Sequence, residues 1–141
     1  MTTTLFRKLI CASLLCATSS FAMAEIAVIV NPANGDTIGK DEIQKIYLAK
    51  TKTFPGGKTA IPVDQAEGSA VRVEFVSKVI EKDEAQLKSY WSRLIFTGKG
   101  VPPKVLGSDA EVKELVNRNT DAIGFIDSAS VDDSVKVVGK F

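Results

Sequence analysis

Apolar positions along this chain change period several times, and each change marks an element. Ile26–Val30 is a continuous β-branched run closed by Asn31-Pro32, which predicts a buried strand entering a loop. Residues 40–48 carry Ile43, Ile46 and Tyr47 at the three-and-four spacing of a short helix. Residues 60–63 read as a second short strand, at an edge or irregular because of Pro62. After Gly68, Val71, Phe75, Val76, Val79 and Ile80 form one helical stripe. Asp83 with Gln86 three residues on has the capping-box spacing, and Leu87, Tyr90, Trp91, Leu94 and Ile95 make the next stripe. Ser108 with Glu111 repeats that spacing ahead of Val112, Leu115 and Val116. Residues 122–126 and 135–138 are further strand candidates. The expected core includes Phe75, Val79, Leu87, Trp91, Leu94, Val112, Leu115 and Ile123. Strands alternating with helices predict an α/β fold, a central mixed sheet flanked by helices.

The first two dozen residues follow a different pattern. Arg7 and Lys8 precede a mostly apolar stretch over 9–18, and Ala22-Met23-Ala24 places small residues where a signal peptidase reads them. That order predicts a secretory signal over residues 1–24, followed by one domain over residues 25–141. The apolar stretch is too short to cross a hydrocarbon core about 30 Å thick. Cys11 follows Ile10 and Cys16 follows Leu15, which disfavours lipid attachment. Cleavage after Ala24 removes both cysteines, two of the 18 basic residues and none of the 17 acidic ones, turning a net charge of +1 into −1. The remaining 117 residues form a cysteine-free secreted domain, periplasmic in location and held by its apolar core alone.

Candidate chemistry narrows quickly. The chain has no histidine, so a Ser-His-Asp or Cys-His site and any imidazole metal site are excluded. A near-neutral charge gives no basic field for nucleic acid. Gly35 to Lys40 has one residue too few between its glycines for a phosphate loop, and Thr97 to Gly100 has Arg93 in place of the first glycine and Gly100 in place of the Ser or Thr. The clusters Glu81-Asp83-Glu84 and Asp132-Asp133 lack the alternating ligands of a calcium loop and read as surface and cap carboxylates. No catalytic residue, cofactor or metal is therefore expected.

The segment from Gln65 to Arg72 is the most informative. A strand ends, a loop passes Gly68, and a helix starts at Ser69 with unpaired N–H groups that favour an anion. Ser69 adds a hydroxyl, Gln65 an amide donor, and Arg72 lies one turn into the helix. The competing reading is structural: Ser69 caps the helix and Gly68 permits the turn.

Ile46-Tyr47-Leu48-Ala49-Lys50, Pro62-Val63-Asp64-Gln65 with Glu67-Gly68-Ser69, and Ala122-Ile123-Gly124-Phe125-Ile126 resemble successive segments of the phosphate-binding proteins of bacterial phosphate transporters. The run from Tyr90 to Gly100 is similar to a distinctive segment of short, single-lobe periplasmic-binding-protein-like proteins. The resemblance covers most of the chain from Ile26 onward. It implies one lobe of a two-lobed receptor, with anion contacts at Gln65, Gly68, Ser69, Ala70 and Arg72. Ser69 matches the family's serine, whereas Ala70 and Val71 replace its glycine and threonine, and Gln65 stands in the place of its arginine. Each hydrogen bond to a charged group contributes about 1.5–3 kcal/mol, so these losses imply millimolar binding, no binding, or a pocket finished by a partner.

Two functions follow as expectations. One is a periplasmic module that binds phosphate or a related oxyanion weakly, linked to phosphate uptake through a transporter or another periplasmic protein. The other is a periplasmic interaction domain that kept the lobe and lost the ligand, using the surface around the 97–103 loop. A homodimer is among the partners considered, while nucleic acid and a membrane anchor are not.

Overall fold

The computed structural model describes residues 24–141. The expected signal segment therefore lies outside the described residues, except for Ala24. Five strands form one mixed sheet in the order β3-β2-β4-β1-β5. They are β1 (Ile26–Val30), β2 (Ile61–Gln65), β3 (Lys104–Leu106), β4 (Ala122–Asp127) and β5 (Lys136–Lys140). β1 runs antiparallel to both β4 and β5, and β2 runs parallel to β3 and β4. The helices are α1 (Lys40–Tyr47), α2 (Ala70–Phe75), α3 (Glu84–Phe96) and α4 (Asp109–Arg118). α2 runs on into a π-helical stretch, Val76–Ile80, and a 3₁₀ turn, Ser128–Ser130, follows β4.

β1 is buried at all five positions because it lies between two layers. Ile26, Val28 and Val30 meet Ile123 and Phe125 of β4, α1, α2 and the π-helical stretch on one face. Ala27 and Ile29 meet Ala122, Ile126 and the Val112–Val116 side of α4 on the other. Phe75 stacks on Phe125 at 3.9 Å between ring centroids, with Tyr47 edge-on to Phe75 at 4.7 Å. This is the α/β sandwich that the alternating pattern predicts.

The local signals correspond well to the structure. Asp83 and Gln86 form the reciprocal capping box at α3. Ser108 accepts from the Glu111 amide, but the Glu111 carboxylate turns to the Gly107 amide, one residue earlier than a box requires. Of the expected core, Phe75, Val79, Leu87, Val112 and Ile123 are buried. Trp91, Leu94 and Leu115 are only half-buried, because the outward side of α3 and one flank of α4 carry no further layer. β2 is an interior strand, not an edge, and Pro62 lies ahead of the residues that pair with β3. β3 was not legible in the sequence. Among the described residues no helix is long and apolar enough to cross a membrane.

Candidate functional site

The C-terminal end of β2, the turn at Gly68 and the start of α2 place the predicted residues. Gly68 takes φ +84°, a left-handed conformation that glycine adopts without a Cβ penalty. Ser69 is the N-cap of α2, and its hydroxyl accepts from the Arg72 amide at 3.2 Å. The Val73 amide bonds to the Ser69 carbonyl at 3.0 Å. No hydrogen bond within the described residues takes up the amides of Ala70 and Val71, which stand in the first turn. Gly68, Ser69 and Ala70 thus form the turn into α2.

Gln65 and Arg72 are placed differently. The Gln65 side chain is 4% exposed and turned inward. Its amide nitrogen donates to Asp109 Oδ1 at 2.7 Å and to the Phe125 carbonyl at 2.9 Å. Asp109 Oδ2 in turn accepts from the Asp127 amide and the Ser130 hydroxyl. Gln65 therefore ties β2 to α4 and β4, with its donors committed.

The Arg72 guanidinium, 11% exposed, donates through Nε to Asp64 Oδ1 at 3.1 Å and through an Nη to Glu84 Oε1. Burial opposes the guanidinium's charge, but Glu84 and Asp64 outweigh it and raise its pKa further. Burial is also the largest influence on Asp64 and lifts its pKa above the usual carboxylate value despite Arg72 and the Gln65 amide. Beneath this triad the Tyr47 hydroxyl sits between the carbonyls of Val63 and Ile123, and its pKa is raised by burial and by the Asp64 charge. Asp64 and Glu84 are the residues that sequence reading missed. Asp64 lies in the Pro62–Gln65 segment beside the turn, and Glu84, one residue after the Asp83 cap, has the pattern of a surface acid.

The triad opens onto a groove of about 270 Å³ between α3 and the 102–105 segment. Its charged lining is Asp64, Glu67, Arg72, Glu84 and Lys88, three acids against two bases. The turn thus offers backbone donors beside a groove whose net charge is −1. Among the described residues no group of three or more acidic or sulfur side chains is arranged to hold a metal. Of the acidic clusters, Glu81 pairs with Lys40, Glu84 with Arg72 and Asp132 with Lys113, while Asp83 caps α3.

No protein-family model matches the sequence, and no curated protein does. Solved structures do match. An ABC-type phosphate transport receptor from Vibrio cholerae shares 26% identity at a TM-score of 0.64, over 84% of this chain and 47% of its own. A putative phosphate ABC transporter substrate-binding protein with bound phosphate, from Clostridium perfringens, shares 24% at 0.64 over 82% and 45%. PstS from Borrelia burgdorferi shares 15% at 0.59 over 82% and 47%. The chain spans about half the length of these proteins. It has the periplasmic-binding-protein fold and resembles one lobe of the bacterial phosphate-transport receptors.

Proposed function

We propose that this chain is a periplasmic solute-binding module, not an enzyme, that binds phosphate or a related oxyanion weakly at the Gly68–Val71 turn. The reading is carried by one observation: two amides with no partner, Ala70 and Val71, at the capped start of α2. They occur in a fold shared with phosphate-transport receptors, one of which was solved with phosphate bound. Backbone N–H groups and the positive end of the helix supply the attraction. Arg72 contributes little, because Asp64 and Glu84 already hold its charge. With Gln65 turned inward, the site relies on neutral donors, which keeps the affinity low.

Residues 1–24 act in this reading as the secretory signal, and the module works beside a transporter or another periplasmic protein. Phosphate titration followed by amide chemical shifts of the purified protein tests the site. The expected result is a set of perturbations centred on Gly68, Ser69, Ala70 and Val71. Unmoved amides there at about 50 mM phosphate, well beyond the range of millimolar binding, would remove the reading. Mass spectrometry of periplasmic protein checks the signal, with a chain starting at Glu25 expected.

A further inference from the structure

A second cleft lies across Trp91 and Pro103 from the groove described above, with a volume of about 240 Å³. Its walls include Ile46, Pro62 and Trp91, and its polar groups include Thr51, Lys52 and Lys99. Small ligands are commonly held in this way, by an apolar wall with a few polar groups that fix orientation. The charge balance separates the two clefts. The groove beside Arg72 carries three acids and two bases, whereas this cleft carries two lysines and no carboxylate.

Neither lysine is committed elsewhere. Among the described residues neither ammonium takes part in an ion pair. The amides of Gly100 and Val101, at the same rim, also make no hydrogen bond within the described residues. Lys52 and Lys99 come from segments 47 positions apart in sequence, so the fold alone assembles this positive site. Two like charges at one rim repel, and an anion between them relieves that repulsion while gaining attraction to both.

We propose that this cleft binds a small phosphomonoester with an apolar body. The head group is selected by charge: a phosphomonoester carries about −1.5 to −2 at neutral pH and so balances two ammoniums, which a carboxylate does not. Thr51, whose hydroxyl makes only long contacts of 3.4–3.5 Å to Thr53, adds a neutral donor. The body lies against Trp91, Pro62 and Val101, where an aromatic ring gains contact area. The inference stands apart from the oxyanion turn at Ser69, shares no residue with it, and holds or fails independently.

The chain has a single tryptophan, and it lines this cleft, so its fluorescence reports occupancy. Trp91 also lines the acidic groove, and variants assign the signal. Phenyl phosphate is the probe, with inorganic phosphate and phenol as partial ligands. The expected result is a saturable change with phenyl phosphate, at an affinity about tenfold or more above that of either partial ligand. The double variant Lys52→Gln/Lys99→Gln, with an unchanged far-ultraviolet circular dichroism spectrum, should weaken binding by about tenfold or more. Lys88→Gln, which changes only the acidic groove, should leave it unchanged. No saturation by about 20 mM phenyl phosphate would overturn the proposal, since binding weaker than this is not a built site. So would equal binding by the double variant, or phenol and phenyl phosphate binding alike.

Discussion

Replacing Arg72 by glutamine tests whether that residue is a structural counter-ion or a free ligand. The guanidinium is 11% exposed and bridges Asp64, 18% exposed, and Glu84, 41% exposed. Its removal strands the Asp64 carboxylate in a site where burial already dominates its titration. Breaking one partner of a buried pair costs about 3–5 kcal/mol. The lower end applies here, about 3 kcal/mol at neutral pH, because Glu84 reaches solvent and Asp64 keeps the Gln65 amide at 2.8 Å. The pH dependence has a definite sign. Asp64 has a folded pKa above its unfolded value, so the folded state holds its proton to higher pH. Its contribution therefore favours folding below the unfolded pKa and is lost as pH rises through the folded one. Removing Arg72 raises the folded pKa further, so the penalty of Arg72→Gln should shrink as pH falls from 8 toward about 4.5. Adding Asp64→Asn should recover much of the loss and flatten that dependence, since no stranded charge then remains. Urea unfolding followed by Trp91 fluorescence measures all three variants. A penalty for Arg72→Gln below about 0.5 kcal/mol at pH 8, within the range of ordinary surface changes, would show that the guanidinium is not holding Asp64.

Other outcomes follow from packing and polar satisfaction. A Cβ at Gly124 would lie 2.5 Å from Val112 Cγ1 and 3.3 Å from Val116 Cγ2, both on buried, stiff side chains, so Gly124→Ala should cost about 1–3 kcal/mol. Combining it with Val112→Ala should cost less than the sum of the two single changes by at least about 0.5 kcal/mol in the same urea assay. Leu87→Ala should lose about 2–5 kcal/mol, whereas half-buried Leu94→Ala should lose distinctly less, and calorimetry of the pair checks the order. Asp109→Ala removes the acceptor of Gln65, Asp127 and Ser130, leaving a buried donor unpaired, and should cost at least about 1–3 kcal/mol. Hydrogen exchange should then accelerate first at Asp127, whose amide loses its acceptor.

Elements whose signals are local can be read directly from the amino-acid order. α1, α3 and α4 follow from apolar positions three and four apart, and Asp83 and Ser108 mark the starts of α3 and α4 because a cap bonds within three residues of itself. β1 and β4 are legible as apolar runs because both faces of an inner strand are covered. The turn at Gly68 and the cap at Ser69 were readable for the same reason of proximity. Contacts between distant segments depend instead on how the elements pack. β3 has three residues and little pattern of its own, and it exists through its register with Val63, Asp64 and Gln65. The direction of Gln65 depends on Asp109, 44 residues away, and the charge of Arg72 is spent on Asp64 and Glu84 across a groove that periodicity does not show. Lys52 and Lys99 likewise look like separate surface cations in the sequence and share one cleft in the fold. The division has a physical basis: backbone periodicity and capping act within a turn or two, whereas the pairing of buried polar groups depends on which segments the packed core brings together.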